Sequence, residues 1–176
     1  RGQTNTTDRT WPNFDEEILG ADYQDHYGKG PGKDTLASII PEAAGHPVLT
    51  GIPATQKFTS HLYRNRNLYR TVTPLLRGQT EDGTSEIEPI AWVNTRDNRR
   101  VFYTSLGSPE DFAEPAFQRL LLNGILWALD DFIPPAPAPS PAPKPSASAT
   151  PAPAVQPAAR PAPSAQIDPL PPAEAA

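Results

Sequence analysis

The sequence predicts a mixed α/β domain, and three neighbouring features in its second half support that prediction. Residues 101–106 are almost all apolar or β-forming, as expected for a strand covered on both faces. Gly107, Ser108 and Pro109 then end this strand abruptly. A helix follows, in which apolar residues recur at helical spacing: Phe117, Leu120, Leu121, Ile125 and Leu129. A strand, a tight turn and an amphipathic helix in this order are typical of α/β domains.

The first elements of the chain are predicted from their caps and breakers. A short helix is expected over residues 13–19, because Asn13 is a suitable N-cap and Gly20 a suitable stop. Residues 22–33 are expected to form an irregular loop, because three glycines and a proline interrupt any period there.

Five strands and one long helix are predicted in the rest of this region. The strands are expected at residues 35–40, 58–63, 72–76, 88–94 and 100–106. Pro74 is unusual inside the third of them, since proline cannot donate to a sheet ladder. The final helix begins near Pro115, Gly124 indicates close packing against a neighbouring element, and Trp127 is expected in the core.

Composition divides the chain of 176 residues into two parts. The last 43 residues hold 15 of the 24 prolines and contain neither glycine nor an aromatic side chain. Such a Pro/Ala segment favours extended polyproline II and cannot bury a core, so it is expected to be a disordered, semi-rigid spacer that links to another domain. The predicted organisation is an unstructured start at residues 1–10, a globular region at 11–133 and a Pro/Ala tail at 134–176.

Charge and composition exclude several classes of protein. No run of about 18 apolar residues occurs, which argues against a transmembrane segment. A net charge of −5 without a Lys/Arg cluster argues against a nucleic-acid partner. The absence of cysteine removes disulfides and cysteine nucleophiles, and it leaves the compartment open, secreted and periplasmic locations included. No phosphate-binding loop or dinucleotide fingerprint is present, so no cofactor is predicted.

An ordered series of segments resembles one known family. The segments are WPNFDEEILG at 11–20, HYG at 26–28, HPVL at 46–49, HLYR at 61–64, EPIAW at 88–92, RVFYTSLG at 100–107 and NGILWAL at 123–129. Together they resemble the C-terminal half of a ThuA-like domain, the trehalose-utilization family.

The resemblance implies both a fold and a function. It implies a flavodoxin-like open sheet related to class I glutamine amidotransferases, whose first strands and helices would then lie upstream of Arg1. It also implies a role in carbohydrate utilization, with a small-molecule sugar bound at the strand ends. The family commonly carries a histidine after the Leu-Gly pair, where this chain has Ser108. Serine can hydrogen-bond a sugar hydroxyl but cannot alone supply acid/base chemistry near neutral pH.

Candidate site residues follow from their chemistry and from the resemblance. His26 is the candidate acid/base catalyst, because it lies in a polar segment beside carboxylates. A metal site there lacks regular ligand spacing, so none is predicted. The candidate ligand-binding residues are Asp25, Tyr63, Trp92, Tyr103 and Ser108, the aromatic rings serving to cover a sugar ring. Two interpretations stay open: a domain that transforms a sugar, or a noncatalytic sugar-binding or interaction module on the Pro/Ala spacer. Whether the chain is an enzyme or a homo-oligomer is also open.

Overall fold

The computed structural model describes residues 11–136 of the chain. The predicted unstructured start and the predicted Pro/Ala tail beyond residue 136 lie outside the described residues. The described elements are β1 (Asp22–His26), β2 (Asp34–Ile39), β3 (Thr55–His61), β4 (Tyr63–Arg66), β5 (Val72–Thr80), β6 (Glu88–Asn94), β7 (Val101–Thr104) and α1 (Pro115–Ala128). Short helical turns occur at Asp15–Leu19, Pro41–Ala43, Pro47–Leu49, Arg96–Asn98 and Asp111–Ala113.

The described strands form one large and one small sheet. The large sheet has five strands in the order β3-β2-β5-β6-β7, and the small one is the ribbon β1-β4. All of these strand pairs are antiparallel. The mixed α/β class is therefore confirmed, with an antiparallel sheet and few helices. Parallel pairing is not found among the strands of residues 11–136.

Strand β6 is buried along nearly its whole length, whereas β7 is half-buried. The prediction of residues 88–94 as a strand matches β6, whose residues are buried apart from the half-buried Pro89. β7 lies at the end of the strand order, and its four residues are all half-buried. The predicted strand at residues 100–106 therefore matches β7, which is shorter, is half-buried rather than buried, and pairs with β6 among the described strands. Apolar composition indicates burial, but it does not show whether a strand has one neighbour or two.

Strand β1 corrects the prediction of an irregular loop over residues 22–33. Its ladder runs from Asp22 opposite Arg66 to His26 opposite Tyr63. The backbone hydrogen bonds of β1 therefore come from a strand some forty residues away, and nothing in the local sequence signals that partner. The remainder of the segment does contain the expected turns, with positive φ at Gly28, Gly30 and Gly32.

Helix α1 packs on the core through one face. Phe117, Leu120 and Trp127 are buried there, together with Gly124. An added Cβ at Gly124 would overlap the ring of Phe102, which confirms the expected close packing. Two apolar residues predicted on the buried face are exposed instead: Ile125 is 49% accessible and Leu129 70%. Tertiary packing selects only part of the apolar stripe, because the sheet covers one side of the helix.

Two local expectations also have a structural outcome. The turn Asp15–Leu19 ends at Gly20, where φ is 82° and an added Cβ would lie only 2.6 Å from Val72 Cγ2, so a side chain is excluded. β5 accommodates Pro74 through a register shift between Pro74 and Leu76. Within residues 11–136, none of the helices has the length and apolar character that crossing a bilayer requires.

Candidate functional site

An open cleft of about 640 Å³ lies where β3, β4 and β7 end or begin. Three segments line it. The loop after β1 contributes Lys29, the junction of β3 and β4 contributes Ser60, His61 and Tyr63, and the end of β7 with its following loop contributes residues 103–109. A cleft of this volume falls within the range of small-molecule sites.

One side-chain cluster of the site, here called the histidine group, consists of His26, His61 and Tyr63. The two imidazole rings stack, with 5.6 Å between centroids and an interplanar angle of 19°. His26 and Tyr63 are opposite each other in the β1-β4 ladder, and their ring centroids are 6.3 Å apart. The pairing of β1 with β4 therefore brings His26 beside the cleft, although His61 and Tyr63 are the members that line it.

Polar neighbours orient the ring of His26. Its Nδ1 atom lies 3.3 Å from the Tyr23 hydroxyl and 3.5 Å from Asp25 Oδ1. The same Asp25 oxygen accepts a hydrogen bond from the His26 backbone N–H at 2.8 Å. Asp25 therefore acts on His26 rather than lining the cleft itself.

The imidazole of His61 is kept neutral near pH 7. Burial lowers the pKa of His61 below its ordinary value, and the nearby charges of Lys29 and His26 lower it further. A neutral imidazole has one N–H donor and one acceptor nitrogen. This ring can therefore exchange hydrogen bonds with a ligand hydroxyl in both directions.

Aromatic rings form part of the cleft, and one predicted ring lies behind it. Tyr63 and Tyr103 both line the cleft. Trp92 is 1% exposed, stacks on Tyr103 at 3.9 Å between centroids and donates from Nε1 to the Leu19 carbonyl at 2.7 Å. Trp92 therefore supports Tyr103 from the core.

The second cluster, here called the serine group, consists of Thr59, Ser60, Gly107 and Ser108 bound to Asp111. The carboxylate of Asp111 is buried, with 1% of the residue exposed. It accepts five hydrogen bonds: from the backbone N–H and hydroxyl of Thr59, the hydroxyl of Ser60, and the backbone N–H groups of Gly107 and Ser108. Asp111 thereby joins β3 to the loop that follows β7.

The direction of these hydrogen bonds determines what Ser108 offers a ligand. Thr59 Oγ1 has a single proton, which it donates to Asp111 at 3.0 Å. The 2.6 Å contact between Thr59 Oγ1 and Ser108 Oγ therefore requires Ser108 to be the donor. The lone pairs of Ser108 Oγ remain to accept a hydrogen bond from the cleft.

The same network keeps Asp111 ionised. Burial by itself raises the pKa of Asp111, but the hydrogen bonds from Ser60, Gly107 and Thr59 outweigh burial and hold the pKa below its usual range. The negative charge of Asp111 is thus stabilised by hydrogen bonds from uncharged donors.

A different buried carboxylate supports the histidine group. Glu88 is 0% exposed, accepts a hydrogen bond from the Tyr27 hydroxyl at 2.7 Å and pairs with the guanidinium of Arg66. Tyr27 directly follows β1 and Arg66 is the last residue of β4, so Glu88 ties the β1-β4 ribbon to β6.

The structure brings together most of the residues proposed from the sequence. Tyr63, Tyr103 and Ser108 line one cleft, and His26 stacks on a lining residue. Trp92 and Asp25 do not line it.

Lys29, Ser60, His61 and Asp111 are among the site residues that were not proposed from the sequence. For His61, the HLYR segment of the family resemblance could have indicated a site residue. No sequence feature indicates Lys29, Ser60 or Asp111, because their partners are remote in the chain.

Potential metal ligands are not grouped in this arrangement. Within the described part of the chain, no group of three or more His, Asp or Glu side chains could hold a metal ion. The functional groups at the cleft are imidazoles, hydroxyls, tyrosine rings and one lysine.

Comparison with protein families gives a match. A family model described as ThuA, trehalose utilisation, matches residues 2–128. No curated protein matches the chain. The matched range includes both side-chain clusters and all of α1.

Proposed function

The chain belongs to the ThuA family of trehalose utilisation through residues 2–128, and on that premise we propose that its cleft binds a carbohydrate of the trehalose or keto-sugar type. The family membership points to a role in trehalose utilisation. One observation carries the more specific proposal: a single cleft of about 640 Å³ gathers two tyrosines, a neutral imidazole and a serine hydroxyl.

Each of these groups suits a part of a sugar. The rings of Tyr63 and Tyr103 cover the apolar face of a pyranose. Ser108 Oγ accepts from a sugar hydroxyl, and the imidazole of His61 both donates and accepts. We assign proton transfer to the stacked imidazoles, with His26 as the acid/base group that Asp25 and Tyr23 orient.

The proposal extends to the wider fold. From the family we propose that the described sheet belongs to a domain related to flavodoxin-like and class I glutamine amidotransferase-like folds. Such domains contain parallel strands, whereas the strand pairs of residues 11–136 are antiparallel. A crystal structure with a parallel sheet joined to the described one would support this proposal, and an isolated antiparallel sheet would contradict it.

The first test is titration calorimetry of the full chain with trehalose and a panel of keto-sugars. We expect saturable binding, and we expect Tyr103→Leu and Tyr63→Leu to weaken it about tenfold, equivalent to about 1.4 kcal/mol. Phe132→Leu is the matched control, because Phe132 is an aromatic residue outside the cleft and 73% exposed. If no sugar in the panel binds, or if all three variants behave alike, the proposal is wrong.

A second candidate is a noncatalytic sugar-binding or interaction module carried on the Pro/Ala segment. The observation that favours it is Ser108, which stands where the family commonly has histidine. This alternative predicts binding without turnover, unchanged by His26→Ala. A measurable turnover that His26→Ala abolishes, while Ser108→His leaves ligand binding unchanged, would rule it out.

A further inference from the structure

We infer that the cleft recognises a carbohydrate bearing an anionic group, a carboxylate or a phosphate, and that Lys29 binds the anion. This inference rests on the proposed carbohydrate function and names the substrate class of the same site. It is carried by the charge distribution of the cleft.

The charge of the cleft is opposite to that of the protein. The chain carries 20 Asp and Glu against 15 Lys and Arg, for a net charge of −5. Among the described residues that line the cleft, however, Lys29 is the one charged side chain, and none is Asp or Glu. A neutral sugar does not require this separation of charge, whereas an anionic sugar would be repelled by a carboxylate in its site.

Two carboxylates of the neighbouring clusters are already bound within the protein. Asp111 lies behind Ser60 and accepts five hydrogen bonds. Asp25 accepts from the His26 backbone and lies 3.5 Å from the His26 ring. Neither carboxylate is paired with Lys29.

Two backbone donors of the cleft already have acceptors within the protein. The N–H groups of Gly107 and Ser108 point at Ser60 Oγ, at 2.8 and 2.9 Å, and at Asp111. The charged side chain that the cleft offers an anion is that of Lys29, which makes it the residue to test.

Lys29 is also close enough to act electrostatically on the histidine group. Its charge is one of the causes that lower the pKa of His61, after burial. An anion bound by Lys29 would offset that charge, so the pKa of His61 should rise when an anionic sugar binds and stay unchanged with a neutral one. Besides Lys29, His26 is the titratable group that lowers the pKa of His61, and Asp34 is the ladder partner of His61 on β2; both are present with either ligand.

The test compares three matched pyranoses on the full chain: glucose, glucuronate and glucose 6-phosphate, with trehalose and trehalose 6-phosphate as a second pair. At low ionic strength we expect the anionic sugars to bind about fivefold to tenfold more tightly than their neutral partners, by calorimetry. Lys29→Ala should remove that difference. Lys57→Ala is the control, because Lys57 is an exposed lysine outside the cleft that pairs with Asp34 and Glu81.

Two further measurements make the outcomes distinct. Added salt should reduce the preference for the anionic sugars, because it screens an exposed lysine. In NMR titrations, the His61 resonance should move with glucuronate or glucose 6-phosphate and keep its pKa with glucose. Whichever anionic sugar binds better identifies the anion as carboxylate or phosphate.

Equal affinity for neutral and anionic sugars would overturn this inference and leave the proposed function intact. Failure of every sugar to bind would overturn both. Inorganic phosphate or acetate binding as tightly as the corresponding sugar would show a general anion site, and would also overturn the inference.

Discussion

Each of the two side-chain clusters of the cleft is held in place by a buried carboxylate. The two carboxylates differ in the kind of group that binds them. Asp111 binds the serine group through five uncharged donors. Glu88 binds the ribbon of the histidine group through the guanidinium of Arg66 and the hydroxyl of Tyr27. Both residues are at most 1% exposed.

The difference teaches how a carboxylate is stabilised without water. Neutral donors must each point at the oxygen, so the Asp111 network fixes the backbone geometry of Gly107 and Ser108. The guanidinium of Arg66 supplies a full positive charge to Glu88. Because Arg66 also contacts Glu86 at the surface, it keeps an anionic partner when Glu88 is replaced, so the Glu88 network should tolerate substitution better. We therefore expect the serine group to be the more sensitive of the two.

The largest expected effect is that of Asp111→Ala. Removing the carboxylate leaves several buried donors without an acceptor, which should reduce the free energy of unfolding by about 3–5 kcal/mol. Denaturant unfolding followed by circular dichroism measures it. A loss below about 1 kcal/mol would show that water replaces the carboxylate, and that the network does not hold the loop.

Glu88→Gln should have a smaller effect, about 1–3 kcal/mol. The amide keeps one carbonyl oxygen as an acceptor, and Arg66 retains Glu86 as a partner. The control is Glu86→Gln, whose side chain is 71% exposed, and which should change stability by about 0.5 kcal/mol or less. If Glu88→Gln costs more than Asp111→Ala, the ranking of the two clusters is reversed.

Acid should also test the Asp111 network. The pKa of Asp111 is lower in the folded state than in the unfolded chain, where an aspartate titrates near pH 3.9. Its stabilising contribution is therefore complete above about pH 4 and is lost as the pH falls through the folded value. Asp111→Asn should accordingly lose less stability than the wild type between about pH 4 and pH 2. Identical slopes in pH-dependent melts would contradict this assignment.

The smallest expected effect is that of Ser108→Ala. Ser108 is half-buried, and its hydroxyl loses one hydrogen bond to Thr59, so stability should fall by about 0.5–1 kcal/mol in thermal melts. Because the acceptor lone pairs of Ser108 face the cleft, sugar affinity should fall more than stability. A variant as unstable as Asp111→Ala would mean that the hydroxyl, rather than the carboxylate, organises the loop.

Local signals account for the elements that the sequence predicted well. Residues 88–94 match β6 because β-forming residues are bounded there by turns, and α1 begins at Pro115 as its first-turn proline indicates. Gly20 and Gly124 were informative because each marks a place where a Cβ has no room. These features depend on steric limits of a few neighbouring residues, which a sequence shows directly.

The candidate site was predicted only in part. Tyr63, Tyr103 and Ser108 were selected for their chemistry and do share a cleft, whereas Trp92 lies in the core behind Tyr103. An aromatic residue on a strand has the same sequence signature in either place. Lys29 could not be selected, because its segment was expected to be an irregular loop without a defined neighbour.

The sequence alone determined the α/β class, the position of β6 and α1, and the family to which residues 2–128 belong. The tertiary structure decided that β1 is a strand, that β7 comes last in the strand order of the described sheet, and that Asp111 joins β3 to the loop after β7. Periodicity and capping are encoded within about ten residues, so they can be read in order along the chain. The β1-β4 pairing and the Asp111 network join residues some forty to fifty positions apart, and only the folded chain brings those partners together.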